Sequence, residues 1–172
     1  MYRAVIFILL ALLLASFTRA TAQVYLSPDT MARYYDAPGV LFREDVAERN
    51  IKIPGASLRY TPSIQDIVRA EELFDSLYNK AIKADSRSGG LGYVPDARRY
   101  FFHYGRQYLG YKDSAGNRFV FIHLLNFAVE EEDKNRFYRH FGKGMVWGSG
   151  GFFEINMRSV YAALDASTLH IY

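Results

Sequence analysis

Two periods divide the chain. From Ile64 to Ala84 apolar residues recur at intervals of three and four, and Ile67, Ala70, Phe74, Leu77 and Ala81 make one stripe that predicts an amphipathic helix. Thr61-Pro62 suits an N-cap followed by proline at the first helical position. Asp66 and Glu71-Glu72 stand early in the span and Lys80 and Lys83 late, which complements the helix dipole. Ser86-Arg87-Ser88-Gly89-Gly90 then reads as a linker.

From Arg99 onward the period falls to two. Tyr100, Phe102 and Tyr104 alternate with Phe101 and His103, and Asp113-Ser114-Ala115-Gly116-Asn117 separates this arm from the apolar run Phe119 to Phe127. Asp opens a turn and Gly116 supplies a left-handed position, so a β-hairpin is predicted here. The second arm is apolar on both faces, as in a central strand covered on both sides. Glu130 to Arg136 is a charged connection with room for one helical turn. Met145-Val146-Trp147 and Phe152 to Met157 read as a second hairpin around Gly148-Ser149-Gly150-Gly151, and Ser159 to Tyr172 as the closing part of the sheet. Residues 23–60, with Pro28, Pro38-Gly39 and Pro54-Gly55, show no sustained period. They are expected to be an irregular lead-in whose apolar groups tuck short extended pieces against the body. One long helix followed by strands predicts an α+β fold over residues 61–172. In it the helix packs on an antiparallel sheet of about four to five strands.

Arg106-Gln107-Tyr108-Leu109-Gly110-Tyr111, Asn117 to Ile122 and Gly150-Gly151-Phe152-Phe153-Glu154-Ile155 together look like small secreted bacterial proteins. The order of helix and strands resembles the cystatin-like fold, whose inhibitors carry a Q-x-V-x-G hairpin tip and a Pro-Trp loop. Here Gln107-Tyr108-Leu109-Gly110-Tyr111 has Leu for Val and Tyr for the glycine, inside a strand, and Trp147 follows Val146 rather than proline. The resemblance therefore implies the fold and not the protease inhibition.

Met1-Tyr2-Arg3, the unbroken apolar run Ala4 to Ala15 and the A-x-A pair Ala20 and Ala22 follow the layout of a cleavable signal peptide over residues 1–22. At about 1.5 Å of rise per residue the apolar run spans about 18 Å, short of the ~30 Å of a membrane's hydrocarbon core. The protein is therefore expected to be secreted or periplasmic, cut after Ala22, with no stable membrane insertion thereafter. The leader takes Arg3 and Arg19 with it, so most of the formal charge of +3 belongs to the leader. A near-neutral mature chain argues against nucleic acid as a partner. The chain has no cysteine, which excludes disulfides and thiol chemistry; its 13 Phe and 14 Tyr must hold the core. No N-x-S/T sequon occurs, and with the missing disulfides this points to a bacterial source.

Catalytic groupings are thin. Gly148-Ser149-Gly150-Gly151 matches a nucleophile elbow only loosely, since Trp147 stands where its first glycine belongs, and a glycine-rich turn is the simpler reading. Gly142-Lys143-Gly144 lacks the spacing of a phosphate loop. His123 shares a strand face with Phe119, Phe121 and Leu125, as a buried, hydrogen-bonded core histidine would; on neighbouring strands it could pair with His103 as an acid–base or metal pair. The acid run 130–133 lacks the ligand spacing of a calcium loop and reads as a solvated face. Tyr138, Arg139, His140 and Trp147 combine flat rings with hydrogen-bonding groups and are the candidate ligand-binding residues, set against the plainer reading that Phe137, Phe141 and Trp147 complete the core. The expectation is an exported, non-catalytic binding or interaction protein for a protein, peptide or glycan ligand, with no cofactor, metal or catalytic residues. Its alternatives are an inhibitor-like module acting on a secreted hydrolase and a small histidine-dependent hydrolase.

Overall fold

The computed structural model describes residues 23–26, 37–46, 51–85 and 101–172; the segments expected from sequence to be a leader (1–22) and a linker (86–90) lie outside them. In chain order come β1 (Gln23–Leu26), β2 (Gly39–Phe42), β3 (Ala56–Tyr60), helix α1 (Ile64–Ala84), β4 (Tyr104–Asp113), β5 (Arg118–Asn126), helices α2 (Glu131–Phe141) and α3 (Gly151–Asn156), β6 (Met157–Ala163) and β7 (Thr168–Ile171). The fold is α+β, with α1 laid on one face of an open, mixed sheet in the order β1-β2-β4-β5-β6-β7.

The helix predicted from the stripe is present, but its cap is Ser63 rather than Thr61. Ser63 Oγ accepts the Asp66 N–H at 3.1 Å and Asp66 Oδ2 accepts the Ser63 N–H at 3.0 Å, a reciprocal capping box. Thr61 is engaged elsewhere: its Oγ1 accepts the Glu44 N–H, while Glu44 Oε2 accepts the Thr61 N–H. Ile67, Ala70, Leu73, Phe74 and Tyr78 are buried against the sheet.

The sheet is larger than the four to five strands expected, and it is mixed. β4 shares one edge between two partners. β2 runs parallel to it over Arg106 to Tyr108, and β3 antiparallel to it over Gly110 to Asp113. The lead-in thus carries three strands. Each is four or five residues long, too short to show a period, and each takes its order from a partner in the sheet. The β4–β5 hairpin is as predicted. Asp113 Oδ1 accepts the N–H groups of Ala115 and Asn117, and Gly116 takes φ +88°. β5 lies between β4 and β6 and is buried on both faces.

Of the strand predicted from residue 99, residues 99–100 lie outside the described residues, and β4 begins at Tyr104. Phe101 to His103 form a turn, and Phe101 packs edge-on to Tyr78 and Tyr104. The charged connection is a full helix rather than one turn, anchored by Phe137 and Phe141 at i and i+4. The second hairpin is absent, because residues 151–156 are helical. Phe152 and Phe153 are both half-buried and Glu154 and Ile155 both exposed, a pairing that alternation forbids; the two rings pack on Phe137 instead.

Alternation sorts the sheet residues onto two faces. Tyr108, Ile122 and Val160 meet α1. This face also buries an ion pair: Arg106 Nε lies 2.9 Å from Glu71 Oε1, which accepts the Tyr108 hydroxyl at 2.7 Å, and Arg106 donates further to the carbonyls of Tyr104 and Phe101. The opposite face, with Leu109, Phe121 and Leu125, is covered by Ile51, Ile53, Phe137, Phe141 and Val146.

Candidate functional site

On this second face the register sets a polar row across three strands. Gln107 of β4 stands opposite His123 of β5, which stands opposite Ser159 of β6. The Tyr172 N–H donates to the Ser159 carbonyl, extending the row to a fourth residue.

Gln107 and His123 are fully buried and spend their polar atoms on the segment between α2 and α3. Gln107 Nε2 donates to the carbonyls of Phe141 and Gly144, at 2.6 and 2.9 Å, and its Oε1 accepts the Val146 N–H at 2.9 Å. His123 Nε2 lies 2.7 Å from the Val146 carbonyl, and its Nδ1 2.7 Å from Ser159 Oγ. A carbonyl only accepts, so Nε2 carries the proton. Burial pushes the imidazole from its ordinary value near 6.5 down to about 4, against a smaller upward pull from the Val146 carbonyl. Neutral His123 then offers Nδ1 as acceptor, and the Ser159 hydroxyl donates to it.

The next residue, Trp147, lies over the His123 ring at 4.6 Å and beside the Phe121 ring at 6.3 Å. Tyr172 meets the same Phe121 ring edge-on at 5.0 Å, and its Oη accepts the Lys52 N–H. Trp147 and Tyr172 are each 37% exposed. Gly148 lets the chain after Trp147 pass close to α3, since a Cβ there would come 2.4 Å from the Phe153 ring. The outcome is two half-exposed rings resting on buried aromatic neighbours, with the residue before one of them, Val146, held at both its N–H and its carbonyl by two buried polar side chains.

Serine, imidazole and an orienting carbonyl have the outline of a nucleophile, base and positioner. The imidazole is buried and its proton affinity is depressed far below neutrality, which suits a lock on the Val146 backbone better than a proton acceptor. His123 is thus the hydrogen-bonded core histidine the sequence predicts. The pairing with His103 does not form. The His103 carbonyl accepts the Phe127 N–H, which places it four residues, or about 13 Å, along the ladder from His123. Among the described residues, no three His, Asp or Glu side chains gather as a metal site would require.

Of the candidate ligand-binding residues, Trp147 belongs to this site. Arg139 and His140 are exposed on the last turn of α2, where cations oppose the helix's negative end. Tyr138 is on the same helix, and its side chain lies outside the described residues. Phe137 and Phe141 complete the core, in keeping with the plainer reading, whereas Trp147 stays half out of it. Sequence reasoning missed Gln107, Ser159 and Tyr172 as partners. Gln107, the uncharged polar side chain among the aromatic and aliphatic residues of β4, is a signal that could have marked the row. Comparison with protein-family models, curated proteins and solved structures gives no match.

Proposed function

We propose that the protein is an exported, non-catalytic binding protein whose ligand docks on the face around Trp147. The observation that carries this is a half-exposed indole that follows directly on Val146, whose backbone N–H and carbonyl are held by the buried Gln107 and His123. A core built only for stability gains by covering so large a ring. A binding surface gains by leaving it open and ordered, because a ring already held in place loses little further freedom when a ligand arrives. A protein, peptide or glycan would each find a stacking surface here. The depressed proton affinity of His123 supports the non-catalytic reading over the histidine-dependent hydrolase.

The test is to probe the mature chain and its Trp147→Ala variant against glycan and peptide arrays, alongside a panel of chromogenic esters. Binding that disappears in Trp147→Ala at an unchanged melting temperature is the expected result. Equal binding by both chains, or ester hydrolysis that depends on His123, would overturn the proposal. Tyr138→Ala and Arg139→Ala, run beside it, decide whether α2 shares the surface.

A further inference from the structure

We propose that the ligand on this face is a neutral glycan, a class that rests on the binding reading above. The first argument is charge. The second-face positions of β5, β6 and β7, which alternate from Phe119, Met157 and Thr168, carry no Asp, Glu, Lys or Arg. Lys52, whose N–H donates to Tyr172 Oη, is a cation at one margin; the strands themselves offer a charged polymer no ion pair for the hydration it would lose, so charge matching favours an uncharged partner.

The second argument is the layout of the rings. Trp147 and Tyr172 both rest on Phe121, and the cross-strand neighbour of Phe121 is the half-buried Tyr161. Tyr161 in turn stacks on the exposed His170, at 4.8 Å and 13° between planes. Ring surfaces therefore run on from the clamped loop to the margin of β7. A pyranose offers an apolar face of C–H groups with hydroxyls around its edge, so it stacks on such rings and bonds beside them. Hydroxyl and imidazole groups lie among the rings: Ser159 Oγ keeps accepting capacity after donating to His123, and Thr168 Oγ1 lies 3.0 Å from His170 Nε2. A peptide adding to a sheet draws its affinity from backbone bonds along an edge, whereas these rings lie on a face.

Trp147 is the chain's one tryptophan, so its emission reports the site directly. The mature chain is titrated with cellohexaose, with chitohexaose, with heparin and with the best peptide from the array, at low salt and at about 0.5 M sodium chloride, where surface charge effects are largely screened. The expected result is a shift of Trp147 emission by a neutral hexasaccharide, insensitive to salt. By calorimetry that affinity should fall about tenfold in His170→Ala, a substitution at an exposed position that spares the core. Binding of heparin that salt abolishes overturns the glycan assignment. Peptide binding lost in Trp147→Ala, with neither hexasaccharide bound, overturns it while leaving the binding reading intact. Silence toward every probe, on the arrays and in solution, removes both.

Discussion

His123 should make this protein lose stability in mild acid, through one identifiable proton. In the folded chain its imidazole is held neutral with a value of about 4, and in the unfolded chain it returns to about 6.5. Between those limits the unfolded chain binds a proton that the folded chain refuses, so stability is full above pH ~6.5 and falls as the pH drops toward 4. At about 1.4 kcal/mol per unit, the loss across that window is about 3 kcal/mol. That is a large share of the 5–15 kcal/mol of a typical domain. The exposed Asp113 and Asp165, whose carboxyls are held below their ordinary value by hydrogen bonds from Asn117 and Arg118, lose those contributions at the acid end of the window or below it. The assay is urea unfolding followed by Trp147 emission at several pH values from 7 to 4, for the wild type and for His123→Gln. The glutamine amide can donate to the Val146 carbonyl and accept from Ser159, but it cannot titrate. The variant should start less stable and show a much flatter profile between pH 6.5 and 4. Parallel profiles for the two chains would refute the buried neutral imidazole.

Gln107→Ala strands the Val146 N–H and two carbonyls without their partner, and should cost about 2–4 kcal/mol in urea unfolding together with a red shift of Trp147 emission. Arg106→Met should cost about 3–5 kcal/mol by leaving Glu71 charged and buried, while Arg106→Met with Glu71→Leu should recover most of it, as thermal unfolding of the single and double variants will show. Gly148→Ala drives a methyl against Phe153 and should destabilise by about 1–3 kcal/mol; its further mark is a change in Trp147 emission in the folded state, which a remote destabilising change would not produce.

Much of the α1 side of the fold can be read in the sequence, because it is written locally. The stripe from Ile67 to Ala81 spans many turns, and Asp113 and Gly116 each state a backbone requirement of their hairpin. The cap shows the limit of local reading: Thr61 and Ser63 are both competent caps, and Thr61 is diverted by Glu44, a residue distant in sequence. Phe152 and Phe153 carry strand propensity, yet packing on Phe137 claims both rings for one side of a helix turn. At the site, Trp147 stands out as a single indole before a glycine-rich run, and His123 as a polar residue in an apolar strand. Their relation to Gln107, Ser159 and Tyr172 depends on the registers of successive strand pairs, and no spacing in the chain encodes how those registers add.

The divided edge of β4 has a kinetic consequence. From β4 onward each strand pairs with the next one in sequence, β6 joining β5 across α2 and α3, so this half of the sheet assembles from comparatively near neighbours. The strands on the other edge must close much larger loops, since Gly39 meets Arg106 and Tyr60 meets Gly110 across the whole of α1. β4 is thus a seam between a part that can form early and a part that can only be added to it. In native-state amide exchange the ladder hydrogens of β2 and β3 should open as one unit, sooner than those joining β5 to β4 and β6.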